Sequence, residues 1–347
     1  MNMMRLVWMF LAAALLAPAV QAAEHALNPN RLSLSARLGF NVSARFKGDA
    51  LSLPAPANNR LTPGGDAYNF DDGYVLTDIS GNYEGQTWYW GYDSSASQIS
   101  GNTILMSRST PGGEFASPSF DDDLSWGAEL AYNRWLGRYK SMSYGFEFAA
   151  NWQGLSLGDS STFYGNATRV RNAFPFTPGT TPPSATPNNP YQGSYGGAGF
   201  LIGDTAISSA SDVVPGGLEI SGRRRYEANL WGFRLGPYLE FPLGERLTFG
   251  FSGGLAVGLL DGEASWTDTI TVAGKSASSS GSGSDFGVLW GGFASANLSW
   301  NFSDRWSAIA GVQYQYLGTY EAEFGERSVE LDLRQSFYML LGVGYRF

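Results

Sequence analysis

Charged side chains recur at alternate positions inside segments whose other positions are apolar or small. This alternation collects the charges on one face of each segment. The candidate set comprises eight residues: Arg37, Arg45, Glu129, Glu147, Arg234, Glu240, Asp332 and Arg334. Acids and bases on facing segments predict a network of ion pairs that fills an interior. The two alternatives are a narrow gated ion path and a catalytic carboxylate pair, Glu129 with Glu147.

The chain is poor in the residues that most often carry out catalysis or bind transition metals. Its one histidine, His25, lies outside the alternating segments, and it has no cysteine. Hydrolases and acyltransferases that work near neutral pH commonly use a histidine to accept and return protons. Thiolate nucleophiles and zinc sites need cysteine or histidine. Since no substrate cleft is evident around Glu129 and Glu147, we predict that the protein is not an enzyme and holds no cofactor.

The elements that must position these charges are strands. Forty-five glycines, 15% aromatic residues and only 15% charged residues favour many short strands over helices. Apolar residues recur with period two in eight segments. These segments are 32–46, 124–135, 142–153, 224–241, 247–260, 285–302, 306–317 and the C-terminal strand that ends at Phe347. The sequence therefore predicts an all-β protein.

The connections between these segments alternate strictly between short and long. The short ones are 136–141, 242–246 and 303–305, and the long ones are 47–123, 154–223, 261–284 and 318–330. Eight strands joined in this way predict an antiparallel up-and-down β-barrel with both termini on the short-turn side. Short periplasmic turns and long extracellular loops are typical of barrels in the bacterial outer membrane. We expect flexibility in the Ser- and Gly-rich stretch 276–284.

Alternation alone does not decide which face of a barrel points outward, since soluble lipocalin-type barrels place the apolar face inside. Here charges avoid the apolar face, and the opposite face is rich in Gly, Ser, Asn and Gln. Trp and Tyr also cluster near the strand ends, as in the aromatic girdles of membrane barrels. These features favour an apolar face that contacts lipid and a polar face that lines the lumen.

The segment 47–123 has eleven acids against three bases, with clusters at 71–72 and 121–123. Carboxylate oxygens can bind Ca²⁺, but the spacing does not match an EF-hand loop, and we favour a solvated surface. The net charge of −9 and the lack of a basic tract argue against nucleic acid as a partner.

The same segment carries a group of aromatic residues: Tyr83, Trp88, Tyr89, Trp90 and Tyr92. Exposed rings could stack on a surface glycan or a protein ligand, but we favour packing as a cap over the barrel mouth. The stretches 87–92 and 102–108 are expected to pair as a hairpin outside the wall. If that hairpin joined the wall, the barrel would have ten strands.

The N-terminus has the pattern of an export signal. Arg5 precedes an apolar run over 6–17, which is followed by small residues up to Ala22. This pattern predicts a cleaved signal peptide over 1–22 and a short periplasmic segment over 23–30. The apolar run of about a dozen residues is shorter than the ~20 that a spanning helix needs.

The C-terminal strand carries Gly342, Tyr345 and Phe347, which match the terminal signal of outer-membrane barrels, although Leu340 stands where that signal has a polar residue. With its eight segments, the chain resembles the small OmpA/OmpX-type transmembrane barrels, without a peptidoglycan-binding domain and with longer loops. The resemblance implies an outer-membrane location, contact with the lipid bilayer and lipopolysaccharide, and recognition of the C-terminal strand by the barrel assembly machinery. It implies a structural or surface-interaction role in membrane integrity or loop-mediated binding, with a narrow porin-like channel as the alternative.

Overall fold

The computed structural model describes residues 29–49, 53, 67–78, 80–121, 124–193 and 198–347. The predicted signal peptide, His25 and residues 122–123 of the second acidic cluster lie outside these ranges. Twenty-one strands are assigned in this part of the chain. In order they are β1 Asn30–Phe40, β2 Ser43–Gly48, β3 Ala67–Phe70, β4 Gly73–Leu76, β5 Gln86–Thr87, β6 Trp90–Tyr92, β7 Ile99–Ser100, β8 Thr103–Pro111, β9 Phe115–Ala116, β10 Phe120–Asp121, β11 Ser125–Tyr139, β12 Met142–Asp159, β13 Phe163–Pro175, β14 Ile202–Gly203, β15 Ser208–Pro242, β16 Leu247–Val272, β17 Lys275–Asn301, β18 Trp306–Tyr316, β19 Thr319–Phe324, β20 Arg327–Asp332 and β21 Ser336–Arg346.

One short helix, α1 over Ser95–Gln98, accompanies these strands in the described part of the chain. Among the described residues, no helix has the length and apolar character needed to cross a membrane.

Eight of the strands close into a ring, in the order β1, β11, β12, β15, β16, β17, β18 and β21. The ring closes because β21 pairs antiparallel with β1 over its whole length, from Arg346 opposite Arg31 to Phe337 opposite Phe40. The prediction of an eight-stranded antiparallel barrel is confirmed. The ten-stranded alternative is wrong, because β8 pairs with β13 and β6 pairs with β4, outside the ring. The predicted hairpin between 87–92 and 102–108 is wrong for the same reason.

A band of apolar side chains covers the outside of the ring. Leu255 is 73% exposed, Trp290 73% and Leu341 70%. Aromatic side chains border this band at both ends and are also exposed: Tyr139, Trp300 and Trp306 on the short-turn side, and Trp126, Trp152, Trp231 and Tyr316 on the other. Such a surface is stable only against lipid, since a soluble protein rarely exposes a contiguous apolar patch of this kind.

Much of the sequence expected to form long loops continues the barrel wall as strand. β15 has 35 residues, β16 has 26 and β17 has 27, far more than the roughly 9–11 that cross a membrane. β12 and β13 follow one another along the same neighbour, β15. The wall therefore rises well beyond the apolar band on the side opposite the short turns.

Most of the inward face of this upper wall is apolar, unlike the inward face within the membrane band. β2, β19 and β20 form part of a second sheet, and its buried face meets the inward face of β12, β15, β16 and β17. The core between them includes Phe46, Leu157, Tyr226, Leu260 and Leu331. The upper half is thus packed like a soluble β-sandwich, which seals the outer end of the lumen.

The Ser- and Gly-rich stretch 276–284 is not a flexible loop but part of β17, paired residue by residue with β16. Its even-numbered serines face outward and are exposed. Its glycines face aromatic rings, since a Cβ at Gly281 would lie 2.6 Å from the Trp266 ring and one at Gly283 would lie 2.5 Å from the Phe324 ring. Glycine is needed at both positions because a side chain there would overlap the ring. The high Ser and Gly content of 276–284 therefore reflects packing and does not indicate a flexible loop.

Replacing Gly283 by valine is expected to displace Phe324 and lower the free energy of unfolding by about 1–3 kcal/mol, because the new side chain overpacks this contact. Urea unfolding followed by tryptophan fluorescence measures the change. The matched control is Ser282→Val, which places the same side chain on the exposed face and is expected to change stability by less than about 0.5 kcal/mol. Equal stability of the two variants would contradict the packing of Phe324 on β17.

Candidate functional site

Arg234 lies at the centre of a buried charge network inside the ring. Its guanidinium contacts Glu129 on β11 at 2.5 Å and Glu147 on β12 at 3.3 Å. Its Cζ also lies 4.5 Å from the centre of the Phe293 ring. β11, β12 and β15 are neighbours in the ring, and Arg234 lies opposite Ala149, two residues from Glu147 on β12 and, through the next pairing, two residues from Glu129 on β11.

Below Arg234 the network continues towards the short-turn side. Glu147 accepts a hydrogen bond from the Asn133 amide at 2.8 Å, and Asn133 accepts one from Arg31 at 3.2 Å. Arg31 in turn contacts Glu240 at 2.5 Å. Each of these groups is more than 90% buried, so every charge is compensated where water is largely excluded.

Above Arg234 the network ends on Arg37. This guanidinium lies 3.4 Å from Glu129 and donates a hydrogen bond of 2.6 Å to Gln315. Its Cζ lies 3.5 Å from the centre of the Tyr338 ring, an arrangement that favours a cation. The apolar core of the upper wall adjoins the network here, since Phe293, which contacts Arg234, belongs to the same cluster as Leu230 and Leu317.

The network fills the lumen. The cavity among Arg31, Glu129, Glu147 and Arg234 has a volume of about 30 Å³, and the cavity beside Glu240 about 10 Å³. These volumes hold about one or two water molecules. An eight-stranded barrel is only wide enough for its own side chains to fill, and here arginine and glutamate fill it.

Three predicted members of the lumen set lie elsewhere. The chain leaves the barrel at Asn41, whose φ of 63° breaks the strand, so Arg45 belongs to β2 in the second sheet and is exposed. Asp332 and Arg334 contact each other at 2.6 Å near the barrel rim, with Arg334 56% exposed. The prediction that Arg45, Asp332 and Arg334 line the lumen is therefore wrong, because Asn41 separates β1 from β2 and a turn at 334–335 separates β20 from β21.

The sequence prediction also missed lumen residues. Arg31, Asn133 and Gln315 were not in the candidate set, although the same alternation that selected Arg37 and Glu129 places them on the inward face. A second buried cluster lies in the upper wall, where Arg224 contacts Asp159 at 2.9 Å and Asp268 at 2.8 Å. Nothing in the sequence pattern distinguished that cluster from a solvated surface.

The aromatic group of the first long segment is divided between an interior and a surface. Trp90 and Tyr92 are buried in a cluster with Met106 and Phe174, and the Trp90 indole donates a hydrogen bond to the Phe200 carbonyl at 2.7 Å. The other three rings are half-buried and adjoin one another, with Tyr83 4.5 Å and Tyr89 6.0 Å from Trp88. Only these three present ring surface to the outside.

The carboxylates of Asp71 and Asp72 both bind groups within the protein. Asp71 contacts Lys275 at 2.6 Å and accepts the Ser109 backbone N–H at 2.6 Å. Asp72 accepts the Ser107 backbone N–H at 2.7 Å. Within the described ranges, no group of three or more His, Cys, Asp or Glu side chains is arranged to hold a metal ion.

The C-terminal strand closes the ring. Gly342 lies where a Cβ would approach the Leu34 carbonyl oxygen to 2.2 Å, so only glycine fits there. The Tyr345 ring packs 4.9 Å from Trp306, and the Phe347 ring stacks 6.3 Å from Tyr345. Both backbone groups of Phe347 bond to Asn30.

Comparison with known proteins gives structural neighbours only. No family model matches the chain, and no curated protein matches it. Solved structures similar to it include Ail, the attachment invasion locus protein of Yersinia pestis, in complex with the heparin analogue sucrose octasulfate (12% identity, 92% of this chain and 99% of that chain, TM-score 0.25). Others are the outer membrane protease OmpT of Escherichia coli (8%, 92% and 97%, TM-score 0.32) and the outer membrane protein OprG of Pseudomonas aeruginosa (9%, 92% and 97%, TM-score 0.28).

These TM-scores are too low to support an argument about this chain, and its assignment follows from its own architecture. The ring is closed by hydrogen bonds on every strand, which is the only way for strands to cross a bilayer. The outside carries an exposed apolar band and the inside a buried polar network. The chain is an integral β-barrel of the bacterial outer membrane.

Proposed function

We propose that this outer-membrane barrel is a sealed anchor that holds a rigid extracellular structure above the membrane for contact with other surfaces. The observation that carries the proposal is the filled lumen, where arginine and glutamate pair across the barrel around a cavity of about 30 Å³. The upper wall is formed by the same strands as the barrel, so a partner that binds to it is attached to a rigid structure anchored in the membrane. A role in membrane integrity and surface binding follows from this arrangement.

The proposed role is non-catalytic. The carboxylates of Glu129 and Glu147, the pair that could have acted as acid and base, are both held by Arg234. They are buried in the lumen, and the cavity beside them is too small for a substrate. Acid–base catalysis needs a carboxyl within hydrogen-bond reach of a substrate atom, and this packing leaves no space for one.

Conductance measurements test the proposal against the narrow-pore alternative. The refolded protein, inserted in a planar lipid bilayer, is expected to give no discrete current steps, because the lumen is closed by ion pairs and by the apolar core above them. Insertion is verified by protease protection of the bilayer-embedded strands. Reproducible steps that change when Arg37 or Glu129 is neutralised would contradict the sealed lumen and establish a gated ion path.

Four partners belong to the proposal. The lipid bilayer covers the apolar band, and lipopolysaccharide lies against the exposed Arg223 and Arg225 on β15, just beyond the girdle residue Trp231. Arginine forms bidentate contacts with phosphate. The barrel assembly machinery recognises the C-terminal strand with Gly342, Tyr345 and Phe347. A surface glycan or protein ligand would contact Tyr83, Trp88 and Tyr89, the half-buried rings of the outer segment.

A further inference from the structure

The short-turn end of the barrel is basic, although the chain as a whole carries a net charge of −9. Each of the three short turns holds an exposed cation, and two further arginines lie near the end of β11. We call these five residues the basic collar: Arg134, Arg138, Lys140, Arg246 and Arg305. Among the described residues, only two exposed acids lie at this end, Glu245 and Asp304. The exposed charge of the short-turn end is therefore positive.

The basic collar surrounds most of the barrel. Short turns join the ring strands two by two at this end, with Lys140 between β11 and β12, Arg246 between β15 and β16, and Arg305 between β17 and β18. Arg134 lies beside the remaining pair of ring strands, β21 and β1. It is opposite Asn30 on β1 and donates a hydrogen bond of 2.7 Å to the Asn30 side chain. The cations are therefore spread around the circumference and do not form a local patch.

The charges of the basic collar are not neutralised by the described part of the chain. None of the five forms an ion pair there, and the hydrogen bonds that they donate go to uncharged acceptors. Arg138 Nε donates to the Lys140 carbonyl oxygen at 2.8 Å, and Arg305 Nη1 donates to the Tyr345 hydroxyl at 3.3 Å. The collar can therefore attract an external anion with its full charge.

The opposite border of the apolar band has a different charge pattern. There Arg225 pairs with Glu227 at 2.5 Å, and Arg334 pairs with Asp332 at 2.6 Å. Each of these cations is balanced by a carboxylate of the same chain. An excess of unpaired positive charge is thus a property of the short-turn border and does not extend to both ends of the band.

The basic collar lies at the depth where lipid headgroups meet the barrel. Tyr139, Trp300 and Trp306 border the apolar band on this side and are exposed. Two collar residues adjoin these rings, since Lys140 Nζ lies 5.6 Å from the centre of the Tyr139 ring and Arg305 directly precedes Trp306. Aromatic girdles mark the level of the headgroups, so the collar cations lie beside the lipid phosphates.

From this placement we infer that the basic collar binds anionic phospholipid headgroups in the leaflet on the short-turn side. The short turns of outer-membrane barrels face the periplasm, and the leaflet on that side consists of phospholipid. Arginine forms bidentate contacts with a phosphate group, and lysine binds it as a point charge. A zwitterionic headgroup brings its own ammonium group next to the phosphate, whereas phosphatidylglycerol does not, so the collar favours the anionic lipid.

Lipid preference at the basic collar is independent of the proposed role as a sealed anchor. Conductance depends on the lumen, and surface contact depends on the upper wall at the opposite end of the barrel. A barrel that conducts ions could still prefer anionic lipid, and a sealed barrel could lack the preference.

The test is electron paramagnetic resonance of the refolded full chain in phosphatidylcholine vesicles at low salt. Traces of spin-labelled phosphatidylglycerol and spin-labelled phosphatidylcholine are compared, and the motionally restricted fraction of each label gives its relative association with the barrel. The collar variant is Lys140→Gln/Arg246→Gln/Arg305→Gln, with one replacement in each short turn. Its control is Arg108→Gln/Arg169→Gln/Arg171→Gln, which makes the same change in net charge on β8 and β13 of the upper wall.

The wild-type protein is expected to prefer phosphatidylglycerol about twofold over its whole lipid boundary. A single collar cation favours an anionic lipid about fivefold, the equivalent of ~1 kcal/mol, and the measured preference is smaller because the collar contacts only part of one leaflet. High salt is expected to reduce it. The collar variant is expected to lose more than half of the preference, because three of the five cations are removed, and the control variant is expected to behave like wild type.

Equal association of the two lipids with the wild-type protein would overturn the inference. An equal loss of preference in both triple variants would also overturn it, because the effect would then follow net charge alone. A preference that the collar variant retains in full would assign the anionic lipid to other cations. Far-ultraviolet circular dichroism verifies the fold of each variant. Arg246→Gln alone, which removes no side-chain hydrogen bond within the described residues, keeps the comparison available if the triple variant does not fold.

Discussion

Replacing Arg234 by methionine is expected to lower the free energy of unfolding by about 3–5 kcal/mol, because it leaves buried carboxylates without their shared cation. Arg234 contacts both Glu129 and Glu147 and is 2% exposed. Glu129 retains Arg37 at 3.4 Å, whereas Glu147 keeps only neutral partners, Asn133 and Ser252. Methionine has a volume similar to that of arginine, so the loss of stability measures the effect of removing the charge and not that of opening a cavity. Urea titration in phospholipid vesicles, followed by tryptophan fluorescence, measures it.

The control for this prediction lies on the same strand. Arg225 is 63% exposed and pairs with Glu227 at 2.5 Å on the outer face of β15. Arg225→Met is expected to change stability by less than about 1 kcal/mol, since solvent and salt screen such a pair. A loss of similar size for Arg225 and Arg234 would mean that the lumen network is as accessible to water as the surface.

Placing arginine at Leu255 is expected to lower the free energy of unfolding by about 2–4 kcal/mol, the cost of a cation near the bilayer midplane on the lipid face of a barrel. Leu255 is 73% exposed on β16 and lies within the apolar band, opposite Leu235. Reversible unfolding from phospholipid vesicles measures the cost. The same titration with Leu255→Ala separates the charge from the loss of side-chain contacts with lipid.

The matched control places the same cation beyond the band. Thr267 lies on the same face of β16 and is also exposed, but it belongs to the part of the wall that stands in water. Thr267→Arg is expected to change stability by less than about 0.5 kcal/mol. If both arginines cost the same, the apolar band would not be the membrane-facing surface, and the position of the bilayer on this barrel would have to be revised.

The number of strands in the ring could be predicted from the sequence because the pleat alternates side chains strictly between two environments. β21 illustrates this, since Phe337, Met339, Leu341 and Val343 face lipid while the residues between them face inward. Short and long connections then fixed the antiparallel order. Both signals are local, so neither required knowledge of which distant segments meet.

Alternation failed where the chain changes sheet without changing its pattern. The residues from Leu32 to Phe46 alternate without interruption, yet Asn41 adopts a left-handed conformation and ends β1. Asn is one of the few non-Gly residues that readily adopt this conformation, and its amide donates a hydrogen bond to the Gln335 carbonyl at 2.8 Å across the seam. Arg45 therefore could not be assigned correctly from periodicity, because the break depends on a partner 294 residues away.

The buried contacts of the upper wall also could not be predicted from the sequence. Arg224, Asp159 and Asp268 come from three strands and meet only because β12, β15 and β16 continue above the membrane. Similarly, the serines and glycines of 276–284 suit both a linker and a strand. What decides between them is the position of Trp266 and Phe324 on neighbouring elements, which no local pattern records.

The outward serines of β17 give this barrel a practical property for biophysical measurement. The chain contains no cysteine, so a cysteine introduced at any of these positions would be its only thiol. Ser276, Ser278, Ser280, Ser282 and Ser284 are all exposed on one face, and neighbours on that face are roughly 7 Å apart along the strand. Spin labels or fluorophores attached at these points would report distance from the bilayer in regular steps, on a support whose own position is fixed by the wall.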